Sequence, residues 1–212
     1  MENLLRSEGR FDVQSSKWSL TIMMTAFAVG GFIYGASMGS FGSSVLQMFY
    51  SGIKVPLLLS VATMICLPNF YVLNLVLGLG NDFTAALKGV FATQAVFAIL
   101  LASLSPVVMF FYEGTTDYRL ALNFNGLPFL CALGGAQITL SRHYRPLIQK
   151  NSLHRITLWT WVFLYGVVAM QMAWVLRPFV GDPRLPVEFT RLHAWSNAFV
   201  VIWDDIVKIM GG

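Results

Sequence analysis

Residues 85–111 read AALKGVFATQAVFAILLASLSPVVMFF, with Lys88 the single charge in the run. At roughly 1.5 Å per residue a helix of this length covers about 40 Å, more than the roughly 30 Å hydrocarbon core of a bilayer. Its apolar residues surround the helix instead of forming one stripe, as expected of a segment buried or solvated by lipid. Similar runs lie on either side, at about 18–39 and 53–78 before it and at 119–141 and 156–176 after it. The sequence therefore predicts an all-α, polytopic membrane helix bundle of about five transmembrane helices, with an amphipathic interfacial helix after them.

Composition agrees. Hydrophobic residues make up 56% of the chain, charged residues only 11%, and mean hydropathy is +0.65, against roughly 25% charged in a soluble domain. The net charge of +4 is confined to short flanks and one stretch between helices. No basic, aromatic-interleaved surface is present, so no nucleic acid partner is expected. Cys66 and Cys131 both fall in apolar runs, where cysteine behaves as a small hydrophobe.

Three regions follow: a cytoplasmic segment at 1–17, the membrane domain at 18–176, and a proline-containing linker with an amphipathic helix at 177–212. The first apolar run is too long for the core of a signal peptide and is expected to remain in the mature protein. In the last region Asp204 and Asp205 are adjacent, and each acid would cost about 2.5–3.5 kcal/mol at mid-membrane. Residues 188–210 are thus expected to lie on the membrane and not to cross it.

Residues 43–50 carry no charge and have an amphipathic look, which predicts a short interfacial element. Pro68 predicts a kink in the second helix, because proline cannot donate the ladder hydrogen bond. Residues 78–82 read as a tight turn. The stretch 142–155 holds Arg142, His143, Arg145, Lys150, His154 and Arg155 without an acid. It reads as a cytoplasmic loop, which places the amino terminus inside and the acidic 112–118 loop outside.

Among residues able to carry function, Gly31, Gly35 and Gly39 recur every fourth position and form a helix-packing face that lets another backbone approach. Asn69, Asn74, Gln94, Gln137 and Gln171 are intramembrane polar residues. Asn69 and Gln94 share one depth and Asn74 and Gln137 another, so each pair is expected to bond across helices or to line a polar path. Lys54 is expected to snorkel to the outer interface and Arg177 to anchor at headgroups. Arg142, Arg145, Lys150 and Arg155 set topology and contact anionic lipid. Trp159, Trp161, Tyr165 and Trp174 bracket the last span as an aromatic belt would, or pack within the bundle. The three histidines lie in loops or the tail, and no catalytic, phosphate-binding or metal-ligand spacing occurs, so neither an enzyme nor a cofactor or metal site is expected.

The runs Tyr34–Gly39, Tyr50–Leu59, Leu67–Asn74 and Trp174–Phe179 resemble bacterial multi-span inner-membrane proteins of no established function. That resemblance implies the inner (plasma) membrane and no particular activity. The functional expectation is a non-catalytic subunit of a multi-protein or homo-oligomeric membrane complex. Its partners would be membrane lipids and other subunits or copies of itself, met through the glycine face and the outer tail. Two alternatives stand beside it: a channel or transporter subunit with an uncharged polar path, and a lipid- or pigment-binding accessory protein.

Overall fold

Ser44 has extended backbone and its hydroxyl accepts from the Gln47 amide at 3.4 Å, capping a helix that begins at Val45. A computed structural model describes residues 17–42, 44–182 and 184–190. Among them all regular structure is helical: α1 Lys17–Gly39, α2 Val45–Val76, a 3-10 turn Gly80–Asp82, α3 Phe83–Glu113, α4 Tyr118–Phe124, α5 Gly126–Lys150 and α6 His154–Val175. Thr21–Gly39, Val45–Val76, Gly80–Glu113 and His154–Val175 are long and apolar enough to cross a membrane. The chain is an all-α helical bundle with the makings of a multi-pass membrane protein. The expected cytoplasmic segment at 1–17, apart from the backbone of Lys17, and most of the expected amphipathic helix at 188–210 lie outside the described residues.

Several expectations are corrected. Residues 45–50 are not a separate interfacial element but the first turns of α2, since the Ser44 cap starts the helix there and nothing interrupts it. α2 holds both Pro56 and Pro68 inside one helix, a continuity compatible with the kink expected at Pro68. The fourth expected span, 119–141, is broken at Asn125 into α4 and α5. Pro128 has no N–H to offer the Phe124 carbonyl, and the Asn125 amide instead bonds the Tyr112 hydroxyl at 2.5 Å and the Ala121 carbonyl at 2.7 Å. The stretch 142–155 is mostly helix, because α5 runs to Lys150 and α6 starts at His154. Only three residues turn between them, where the Asn151 side chain accepts from the Leu153 amide at 3.0 Å.

The long helices α1, α2, α3, α5 and α6 alternate in direction. α1 packs on α2 and α3, α3 packs on α5, and α2 packs on α6, while α2 and α3 barely touch each other. One end of the bundle gathers the 77–82 turn and the 151–153 turn. Lys88, Arg142, Arg145, Lys150 and Arg155 lie toward it with one acid, Asp82. The other end is balanced, with Lys54, Arg119, Arg177 and Arg184 against Glu113, Asp117, Asp182 and Glu188. Phe110, Phe163, Met64 and Trp159 project from the outer surface with 83%, 73%, 69% and 66% exposure, as lipid-facing side chains do.

Candidate functional site

The expected glycine face is used inside the chain. A Cβ on Gly35 would collide with the Ser51 carbonyl oxygen, one on Gly39 would lie 2.6 Å from the Gln47 carbonyl oxygen, and one on Gly31 would lie 3.3 Å from the Pro56 ring. All three neighbours belong to α2, so this face is not open to a second copy. Gly30, which the four-residue spacing leaves out, does the same toward α3: its Cβ would lie 2.7 Å from the Ala98 carbonyl oxygen. Adjacent glycines 100° apart on α1 let it wedge between two helices, and the Gly30-Gly31 doublet was the available signal.

At the balanced end, Gln47, Ser51 and Lys54 share one face of α2 at spacings of four and three residues. All are essentially fully buried. After α6 the chain turns back over this face, and its non-helical carbonyls need donors. The Lys54 ammonium donates to the Pro178 carbonyl at 2.5 Å, and the Ser51 hydroxyl donates to the Phe179 carbonyl at 2.5 Å. The Gln47 amide donates to the Phe179 carbonyl at 3.2 Å and to Ser51 Oγ at 3.0 Å. The Lys54 ammonium also stands 5.1 Å from the centre of the Phe189 ring and 5.9 Å from that of Phe179. Lys54 therefore does not snorkel outward: the returning segment brings carbonyls and aromatic faces to it. Arg177 stacks on Trp174, 3.5 Å from the ring centre.

The expected amide pairs do not form. Asn69 is exposed on the bundle surface, and the Asn74 amide donates within its own helix to the Phe70 carbonyl at 2.8 Å. Gln137 and Gln171 are half-buried on α5 and α6. Gln94 is 8% exposed, and its Oε1 accepts from the Tyr165 hydroxyl at 3.2 Å. Of the residues expected in a belt or in packing, Tyr165 and Trp161 are thus buried packing residues.

Arg142, Arg145, Lys150 and Arg155 are exposed at the basic end. Asp82 reaches across to them from the turn before α3. It accepts from Lys150 Nζ at 2.5 Å and meets His154 Nε2 at 3.4 Å. Asn74 Oδ1, Tyr144 Oη and His154 Nδ1 are buried without a hydrogen-bond partner. Among the described residues no three His, Cys, Asp or Glu side chains cluster as metal ligands.

Where α2 and α3 diverge beneath α1, a cavity of about 160 Å³ opens. Met23, Met24 and Phe27 of α1 line it, with Ser60, Thr63, Met64 and Leu67 of α2 and Phe91 and Gln94 of α3. Its mouth is lateral, since Met24 and Met64 are 45% and 69% exposed on the outer surface. Phe27 and Ser60 stand at the middles of their helices, and Gln94 is four residues from the middle of α3, about 6 Å along the axis. The cavity therefore lies between the middles of these helices and the end that carries the basic residues. No family model, curated protein or solved structure matches the chain.

Proposed function

We propose that this chain is a non-catalytic integral membrane protein that holds an apolar small molecule in the cavity between α1, α2 and α3. The observation that carries this reading is the cavity itself: laterally open, set between helices away from their ends, and lined mainly by methionine, phenylalanine and leucine. Its volume is close to that of an engineered apolar cavity of about 150 Å³ that takes up benzene. Thioethers adapt to irregular apolar guests and attract aromatic rings. A channel has less support, because the amides expected to line a path are dispersed over the bundle.

The test is mass analysis of protein extracted gently from its membrane. A stoichiometric apolar molecule is expected in the wild type and is expected to be lost in Ser60→Phe, which places a ring in the cavity. Wild-type protein that carries nothing the variant lacks refutes the reading.

Assembly with other subunits is a second reading, favoured by α5. Leu127, Leu130 and Ile138 are exposed on it, and the space over Gly134 is open, which leaves a seat for a partner helix. Gly134→Trp would then dissociate a complex that wild-type protein keeps in detergent; a complex that survives the change removes α5 from the interface.

The location proposed is a bacterial inner membrane with the basic end, and hence the amino terminus, in the cytoplasm. Five described basic residues against one acid at that end support it.

A further inference from the structure

The cavity is not uniformly apolar, and its polar element is specific. Thr63 turns its hydroxyl back onto the Leu59 carbonyl of its own helix at 2.7 Å. Gln94 is different. Its Oε1 is occupied by the Tyr165 hydroxyl at 3.2 Å, and neither hydrogen on its Nε2 has a protein acceptor among the described residues. Gln94 lines the cavity, and an amide donor that faces an apolar cavity in a lipid-solvated bundle is costly when left without an acceptor. The Tyr165 bond decides which end of the amide is used, because it holds the carbonyl end and leaves the donor end for the cavity.

Resting on the proposed holding function, we infer that the occupant is a membrane-dissolved ring compound bearing a carbonyl oxygen, which accepts a hydrogen bond from Gln94 Nε2. Three observations select this chemistry. The cavity volume of about 160 Å³ suits one ring and not an acyl chain pair. Three methionines and two phenylalanines in the lining favour an unsaturated ring over a saturated tail. Position disfavours the ester carbonyls of phospholipids, which reside in the interfacial region, since Gln94 is about 6 Å from the middle of α3. The carbonyl must belong to a molecule that dissolves in the hydrocarbon itself. Gln94 is the binding residue, and Tyr165 is a positioning residue that orients its amide.

The probes are 4-fluoroacetophenone and 4-fluoroethylbenzene, rings of nearly equal shape of which only the first has the carbonyl. Fluorine NMR on the purified chain in micelles reads both. Wild-type protein is expected to prefer the ketone by about five-fold, within the range of one net hydrogen bond. Gln94→Leu is expected to abolish the preference while retaining 4-fluoroethylbenzene, which reports an intact cavity. Tyr165→Phe is expected to reduce the preference, again without loss of the hydrocarbon. Equal binding of the two probes by wild type, with both lost in Ser60→Phe, overturns the carbonyl inference and leaves the holding function standing. If Ser60→Phe changes the binding of neither probe, the holding function falls as well.

Discussion

Replacing Gly30 with alanine tests how tightly α1 is wedged. The new Cβ would lie 2.7 Å from the Ala98 carbonyl oxygen and 2.9 Å from its carbon, where ordinary contact begins at 3.4 Å. The deficit is 3.4 − 2.7 = 0.7 Å, and both partners are helix backbone, so no side chain can yield. α1 would have to move off α3 as a unit, yet its adjacent face, about 100° round the helix, is held by α2 through Gly31, Gly35 and Gly39. Overpacking of this kind costs about 1–3 kcal/mol, a factor of roughly five to over a hundred in the folding equilibrium. Gly134 and Gly166 are the controls: nothing lies within 4 Å of a Cβ built on either. Alanine there avoids the glycine penalty of about 0.8–1 kcal/mol in a helix interior. Reversible unfolding in mixed micelles, followed by far-ultraviolet circular dichroism, should order the set as Gly134→Ala and Gly166→Ala at or above wild type and Gly30→Ala well below it. Gly30→Ala protein as stable as wild type would refute the wedge.

Further outcomes follow from other contacts. Lys54→Ala withdraws the donor at 2.5 Å from the Pro178 carbonyl and should destabilise the bundle by about 1–3 kcal/mol. In that background Val180→Cys, fully buried in the wild type, should become reactive toward maleimide; an unreactive thiol would show that Gln47 and Ser51 suffice to hold the segment. Lys150→Ala should change stability by less than about 1 kcal/mol, because 63% of the lysine side chain is exposed; a larger loss in the same micelle assay would mean that the Asp82 contact is shielded. Cysteines placed at Lys150 and at Asp117 should label from opposite faces of sealed vesicles, the first from the cytoplasmic face. Labelling of both from one face would contradict the alternating path.

The apolar runs were legible because lipid leaves few options for a backbone: length and hydropathy alone located the four helices able to cross. Contacts made by sequence-distant residues were not. Lys54 reads as an interfacial lysine until residues 177–189 are laid over it, and nothing local to α2 announces that cover. Gly30-Gly31 and Gly134-Gly135 are the same doublet on paper, yet Gly30 and Gly31 meet α3 and α2 while Gly134 faces open space. Gln94 was recognisable as an intramembrane amide, but its partner was not: Tyr165 by position in sequence suits a belt or packing alike, and is 9% exposed in the fold. The break at Asn125 had a visible cause in Pro128, which the hydropathy of 119–141 masked.

The Lys54 contact also sets an order of events during synthesis. The ribosome delivers Pro178 124 residues after Lys54, so α2 enters the membrane with an ammonium group that has not yet met this carbonyl. Lys54 is the tenth residue of the 32-residue α2, near one end of it, so until that carbonyl arrives its ammonium can reach the interface. Arrival of residue 178 gives that ammonium a buried carbonyl partner. A nascent chain halted before residue 178 would keep that lysine uncovered, a local mark by which unfinished copies differ from finished ones.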